Sequence, residues 1–257
     1  MTATVTRHPS ARPDSISAEE WQVRLDLAAC YRLIHMFSMD DLIYTHISAA
    51  VPGPEEHFLI NPFGLLYEEV TASNLVKVDI EGNIISDSDY GINPAGYVIH
   101  SCIHRENHEI GCVLHTHTVA GVGVSAQKDG LLPVSQTAML FTDNVAYHDY
   151  EGIALREEEQ ARMLADMGDK KVMILRNHGL LTVGATVQEA FLLMYYMEQA
   201  CKHQLAAQAG SGIVIPPKEV QNYVREASSG GFGAGVGQRE FDALVRRLDR
   251  QDTSWRE

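Results

Sequence analysis

Gly111-Cys112-Val113-Leu114-His115-Thr116-His117 is a short apolar run that ends in a His-Thr-His triplet. Side chains alternate along a strand, so His115 and His117 point to one side and Thr116 to the other. A second apolar run, Lys171-Val172-Met173-Ile174-Leu175, ends in Arg176-Asn177-His178-Gly179. Two strand ends can then bring three imidazoles together. Three protein ligands with one position open describe a catalytic metal, whereas a closed set of four describes a structural one. Spacing alone also fits a plainer reading, in which His115 and His117 are hydrogen-bonded strand-end residues. Gly179 after His178 would allow close backbone approach. Neutral imidazole ligands leave a divalent ion its full charge. Such an ion suits a substrate that chelates through two oxygens, such as an α-keto acid or an enediolate, and zinc, iron, manganese and cobalt all accept imidazole.

Working outward, Ser17 and Glu20 match a capping box and open a helix that runs to about Phe37. Tyr44 to Ala49 and Phe58 to Ile60 read as strands. Leu75 to Asp79 and Ile84-Ile85 flank Glu81-Gly82-Asn83 as a hairpin. Pro94 suits the first turn of a helix that continues through Tyr97, His100, Ser101 and His104. Helices are expected from Val119 to Gln127 and from Leu155 to Met167, with a strand at Asn144 to His148 between them. Leu180 to Val183 follows the third histidine. The longest helix runs from Thr186 to Ala209, with Thr186 and Glu189 as its capping box. Ser228 to Gly237 reads as a Gly/Ser-rich linker before a terminal helix at about Arg239 to Arg250. The expected fold class is α/β, a three-layer α/β/α sandwich with a mixed central sheet. The expected organisation is a flexible leader at 1–16, one domain at 17–210 and a C-terminal extension at 211–257.

The 257 residues are 45% hydrophobic and 21% charged, with a formal net charge of −14. That acidity argues against nucleic acid as a partner, which calls for a basic stripe. No apolar stretch reaches the roughly 18 residues that span a bilayer, so no membrane partner is expected. The four cysteines form no CxxC pair. Scattered in apolar surroundings, they read as reduced core residues of a cytoplasmic protein. No GxGxxG or P-loop pattern indicates a nucleotide.

Several stretches carry a family resemblance. They are Asn93 to Ser101, Val113 to Thr118, Gly130 to Pro133, Val145 to Tyr150 and Ile174 to Gly179. In order and spacing, residues 18 to 210 resemble the class II aldolase/adducin family, and most closely its adducin-type branch. The resemblance implies the fuculose-phosphate aldolase-like fold and a homotetramer with a metal near the subunit boundary. The implied ligands are His115, His117 and His178, and the implied ion is Zn2+, with Fe2+, Mn2+ or Co2+ as alternatives.

The resemblance also marks departures. The sugar-phosphate aldolases of the family place a proton-transferring Glu where this chain has Gly96, and phosphate-holding serines where it has Pro94 and Ala95. Glycine does no acid/base work. The Asn of a second phosphate loop falls at about His46, Phe63-Gly64 lacks a hydroxyl, and a proton-donating tyrosine falls near Gln136 or Thr137. The expected function is therefore that of a metal-dependent lyase acting on a small, non-phosphorylated carbonyl or keto-acid substrate, by C–C cleavage or decarboxylation. His46, His148 and Tyr150 are the candidates for proton transfer, with Tyr44 beside them; His148 and Tyr150 also fit a sheet-stabilising pair. Arg176 and Asn177 could orient an anion or fix a turn. His100 and His104, four apart, could face the core or a metal. Two alternatives accompany the lyase: an iron-dependent oxygenase of keto acids, and a non-catalytic adducin-like oligomerisation module.

Overall fold

The computed structural model describes residues 12–229 and 235–257. Most of the leader and the middle of the Gly/Ser-rich linker fall outside these residues. In chain order the elements are α1 (Ala18–Met36), β1 (His46–Ala50), β2 (His57–Ile60), β3 (Val76–Asp79), α2 (Pro94–Glu106), β4 (Cys112–Thr116), α3 (Val119–Ser125), α4 (Gln136–Met139), β5 (Ala146–His148), α5 (Glu158–Met167), β6 (Val172–Leu175), β7 (Gly179–Gly184), α6 (Val187–Gln208), α7 (Lys218–Ser229) and α8 (Gln238–Gln251). One sheet holds all seven strands, in the order β3-β2-β1-β4-β7-β6-β5. Every neighbouring pair is antiparallel except β5 and β6, so the sheet is mixed, as expected.

Alternation along the strands splits the core in two. Ile47, Ala49, Cys112, Leu114, Ile174 and Leu180 face α1, α3 and α6. Val113, Met173, Leu181 and Val183 face α2 and α5, where Ile99, Ile103, Met163 and Met167 meet them. A smaller cluster of Phe58, Ile60, Val76 and Val78 closes the β3 end. This is the α/β/α sandwich. The α2 face is also where the sheet buries histidines, with His46, Ser48 and His115 alternating away from Ile47, Ala49 and Leu114.

Local signals were met with some differences. Ser17 Oγ accepts from Glu20 N at 3.1 Å, but the Glu20 carboxylate turns to Arg24 at 2.9 Å and Lys77 at 2.8 Å instead of closing the box. The Glu81-Gly82-Asn83 hairpin is reduced to one bridge, Val78 to Ile84. Two helices, α4 and α7, arise where none was expected, and Ser228 and Ser229 belong to α7 rather than to a linker. The four cysteines are buried and unpaired. Among the described residues no helix is long and apolar enough to cross a membrane.

The end of the chain is part of the body. The terminal helix α8 packs on α1 and α6, and the Trp255 side chain is buried among them. Ala72 N donates to Trp255 O at 3.0 Å and Ser73 N to Glu257 O at 2.8 Å. Trp255→Ala should therefore cost about 3–5 kcal/mol of stability, the usual range for emptying a buried aromatic site. Chemical denaturation checks this; an unchanged midpoint would mean the extension is a dispensable tail.

Candidate metal centre

The three histidines come together. His115 closes β4, His117 follows one residue past its end, and His178 sits in the turn from β6 to β7. Asn177 at φ 56° makes that turn tight. Strand β7 then lies so close to β4 that a Cβ on Gly179 would stand 2.3 Å from Thr116 O and 3.3 Å from His117 Cδ2. Only glycine lets His178 reach its neighbours, which is the close approach expected at this position. Thr116 points the other way and donates to Met194 Sδ of α6.

His117 Nε2 lies 2.8 Å from His115 Nε2 and 2.9 Å from His178 Nε2, and one ligand atom from each ring falls within 4.8 Å of the others. The opposite ring edges are spoken for. His115 Nδ1 lies 2.9 Å from Leu180 O, and His117 Nδ1 lies 3.0 Å from Asp41 Oδ2. Both acceptors require an Nδ1–H, and a neutral imidazole then has only a lone pair at Nε2. No proton is left to sit between His115 and His117. Lone pairs aimed at one another repel unless a cation sits among them, and a carboxylate or carbonyl behind the ring is the usual support of a metal-bound histidine. The donor set fits a divalent ion.

Burial disfavours charge on His115 and His178. Burial, and then the His178 and His117 rings, hold His115 well below the usual imidazole range; the Leu180 carbonyl acts the other way. Burial and then His117 bring His178 down to about 4. Neutral nitrogens are what a metal needs. His117 and His178 are half-buried, so the trio is open to solvent on one side.

The other candidates are placed less uniformly. His46 pairs with His115 across β1 and β4, with ring centroids 5.2 Å apart. Its ring fills the space beside Gly96, where a Cβ would stand 2.8 Å from His46 Cδ2. Tyr150 is exposed, with its ring 6.4 Å from that of His178. His148 is held by α5, with Nδ1 2.8 Å from Asp166 and Nε2 3.4 Å from Glu159, so two carboxylates face its ring. Tyr44 is exposed at the mouth of β1. Arg176 points away, donating to Gln127 O at 2.7 Å and covering the Tyr147 ring at 4.3 Å. Asn177 shapes the turn. His100 and His104 face the sheet and contact His46 and Ser48, not the trio. Asp41 was not anticipated. A cleft of about 650 Å³ beneath the β1–β2 turn lies away from the trio; a nook of about 10 Å³ between Tyr150 and His178 adjoins the trio.

Comparison with known proteins bears on family and fold. The Class II Aldolase and Adducin N-terminal domain family matches residues 25–205. The crystal structure of an aldolase II superfamily protein from Pseudomonas syringae is 56% identical, with TM-score 0.91 over 95% of this chain and 98% of that one. L-fuculose 1-phosphate aldolase from Glaciozyma antarctica is 25% identical, with TM-score 0.81 over 96% of this chain and 97% of that one. Mouse alpha-adducin is 43% identical over 92% of this chain, which spans 34% of the adducin.

Two outcomes follow for the metal-free protein and its ligand set. Asp41→Ala should lower affinity for added zinc by about 10–100-fold, the usual cost of losing a carboxylate behind a ligating histidine; competition with a chelator measures it, and unchanged affinity would separate Asp41 from the site. Buried imidazoles also make the fold acid-sensitive. Folded values of about 3 for His46 and about 4 for His104 lie below the ordinary 6.5, so the unfolded chain binds more protons. Their contribution is present in full above about pH 6.5 and is lost as the pH falls toward 4. The denaturation midpoint should drop between neutral pH and pH 5 or so; a flat profile would mean the rings are charged or exposed.

Proposed function

Because the chain belongs to the class II aldolase/adducin family, we propose that it is a metal-dependent lyase acting on a small, non-phosphorylated carbonyl or keto-acid substrate. One observation carries the reading: three Nε2 atoms converge, with the Nδ1 edges of His115 and His117 fixed by Leu180 O and Asp41. A divalent ion, most simply zinc, would supply Lewis acidity there, stabilising negative charge on a carbonyl oxygen during C–C cleavage or decarboxylation. His115, His117 and His178 are the ligands. Iron in the same trio, with oxygen as co-substrate, is the oxygenase alternative.

The rest of the site bears on substrate and proton transfer. Gly96, Pro94 and Ala95 bring neither a carboxylate nor a hydroxyl to the start of α2. A phosphate grip is missing there, which supports a substrate without phosphate. His46 takes the proton-handling role, because its ring occupies the space beside Gly96 and lies next to His115. Tyr150, exposed beside His178, is the second candidate. His148, held between Asp166 and Glu159, supports the segment that carries Tyr150 and is the third.

Exposed apolar side chains stand beside the trio's residues in sequence or, for Tyr150, in space. Val119, two residues after His117, is 91% exposed; Leu42 beside Asp41 is 65% and Tyr150 is 54% exposed. Apolar surface of this kind marks an interface. It supports a homo-oligomer, a tetramer by family, in which a second copy covers these side chains. Buried reduced cysteines support a cytoplasmic setting. We assign 17–210 as the catalytic domain and 211–257 as an extension docked on it.

Metal analysis of protein purified without added metal tests the reading. The expected result is one divalent ion per chain, with chelator-sensitive release of a fragment or CO2 from a panel of keto acids and hydroxy carbonyls. His115→Ala should abolish both. Iron together with oxygen uptake would favour the oxygenase. A metal-free protein whose oligomers are unaffected by His115→Ala would overturn the enzymatic reading in favour of an oligomerisation module.

A further inference from the structure

Behind the three histidines, a second file of imidazoles runs across the α2 face of the sheet. His46 Nδ1 lies 2.8 Å from His100 Nε2. His100 Nδ1 lies 2.7 Å from Ser48 Oγ, and Ser48 Oγ lies 2.7 Å from His104 Nε2. All four side chains are buried, with His104, the most accessible, at 7% exposure. The near end of the file is the His46 ring, 5.2 Å from that of His115. The far end is His104, stacked on Phe58 and lining the 650 Å³ cleft. Its Nδ1 is buried without a hydrogen-bond partner.

Hydrogen counting constrains this file. A neutral imidazole has one N–H and one lone pair, and a serine hydroxyl has one hydrogen. Three contacts need one hydrogen each. Two arrangements keep the Ser48 hydroxyl hydrogen within the file and leave one ring N–H pointing out at one end; in a third, His100 and His104 both donate to Ser48 and its hydroxyl hydrogen points elsewhere. In the first, His104 Nε2–H donates to Ser48, Ser48 donates to His100 Nδ1, and His100 Nε2–H donates to His46 Nδ1. His46 then carries its proton on Nε2. In the second, every bond is reversed, and all three rings carry their proton on Nδ1. With the Ser48 hydrogen inside the file, the rings are all Nε2–H or all Nδ1–H.

We infer that His46, His100, Ser48 and His104 are a proton relay between the metal centre and the cleft, moving as one unit between these two states. When His46 Nε2 accepts a proton, its Nδ1 proton passes to His100, the His100 Nδ1 proton passes to Ser48, and the Ser48 proton passes to His104 Nε2. The proton on His104 Nδ1, an atom buried at the cleft wall, leaves when water from the cleft reaches it. One proton enters and one leaves, so no charge stays behind. The reverse shift returns a proton to the metal side. Burial makes retained charge costly: His104 is pushed down to about 4, with His100 well below the usual range. Near His104 the Ile110 backbone acts in the opposite direction without forming a bond of normal geometry. A lyase that removes and returns a proton is the use for this relay, and that use rests on the proposed function. His100, Ser48 and His104 are positioning residues, because they act through His46.

Tautomers can be read directly in the full-length, metal-free protein labelled with 15N-histidine, by two-bond 1H–15N correlation. The expected result is one shared Nδ1–H fraction for His46, His100 and His104, intermediate in value and moving together on warming. In Ser48→Ala, His104 should part from the other two while His46 and His100 still agree. Unequal fractions in the wild-type protein would overturn the relay, above all His104 Nε2–H beside His100 Nδ1–H, where both rings donate to Ser48. One tautomer frozen at all temperatures would overturn it too, since that describes a static network. The measurement needs no metal or substrate, so failure of the lyase reading, seen as absent metal or absent chelator-sensitive turnover, is separate from failure of the relay.

Discussion

The structure depends on keeping several imidazoles buried and neutral on one face of the sheet. An imidazolium at His46, His100, His104 or His115 would sit buried without a carboxylate in contact, a cost that burial makes high. Each ring therefore needs a partner that accepts or donates a single hydrogen. Leu180 O and Asp41 meet that need for His115 and His117; Ser48 and the neighbouring rings meet it for His46, His100 and His104. The two groups differ in what remains. In the trio, the supports consume the N–H groups of His115 and His117 and leave lone pairs facing one point. In the file, N–H groups and lone pairs match one to one, and the surplus appears only at its ends. One packing problem thus yields both a set of nitrogens suited to a divalent ion and a file in which N–H groups and lone pairs alternate.

Much of this was legible in the sequence, for identifiable reasons. The ligand trio follows from local rules: a period of two along β4, a strand end before Arg176-Asn177-His178, and a glycine where two strands must touch. The layers follow from alternation and from capped helices at Ser17, Pro94 and Thr186. The supports did not show. Asp41 reaches His117 from 76 residues away, and Leu180 contributes a backbone carbonyl, which no side-chain pattern reveals. The file was half visible. His100 and His104 lie four apart on one helix face, but their partners His46 and Ser48 are 54 and 56 residues distant. Only the register of β1 against β4, His46 opposite His115, places them on the same side of the sheet. The helix α7 was missed because its sequence is mostly polar and ends in serines beside the glycine-rich stretch.

Gly96 shows how a departure from a family pattern changes meaning once packing is known. As a sequence difference it is a loss, a carboxylate replaced by hydrogen at the start of α2. In the fold it is one half of an exchange. The His46 ring occupies the space a side chain at 96 would need, so a carboxylate at 96 and an imidazole at 46 in this position exclude one another. A carboxylate can hold an abstracted proton by neutralising its own charge. A buried imidazole would become a cation by doing the same, beside a trio suited to a divalent ion. It can work there only if it gives up a proton on its other edge as it takes one. The hydrogen-bonded neighbours of His46 are the groups that permit this, so the glycine and the file behind His46 belong to a single structural solution.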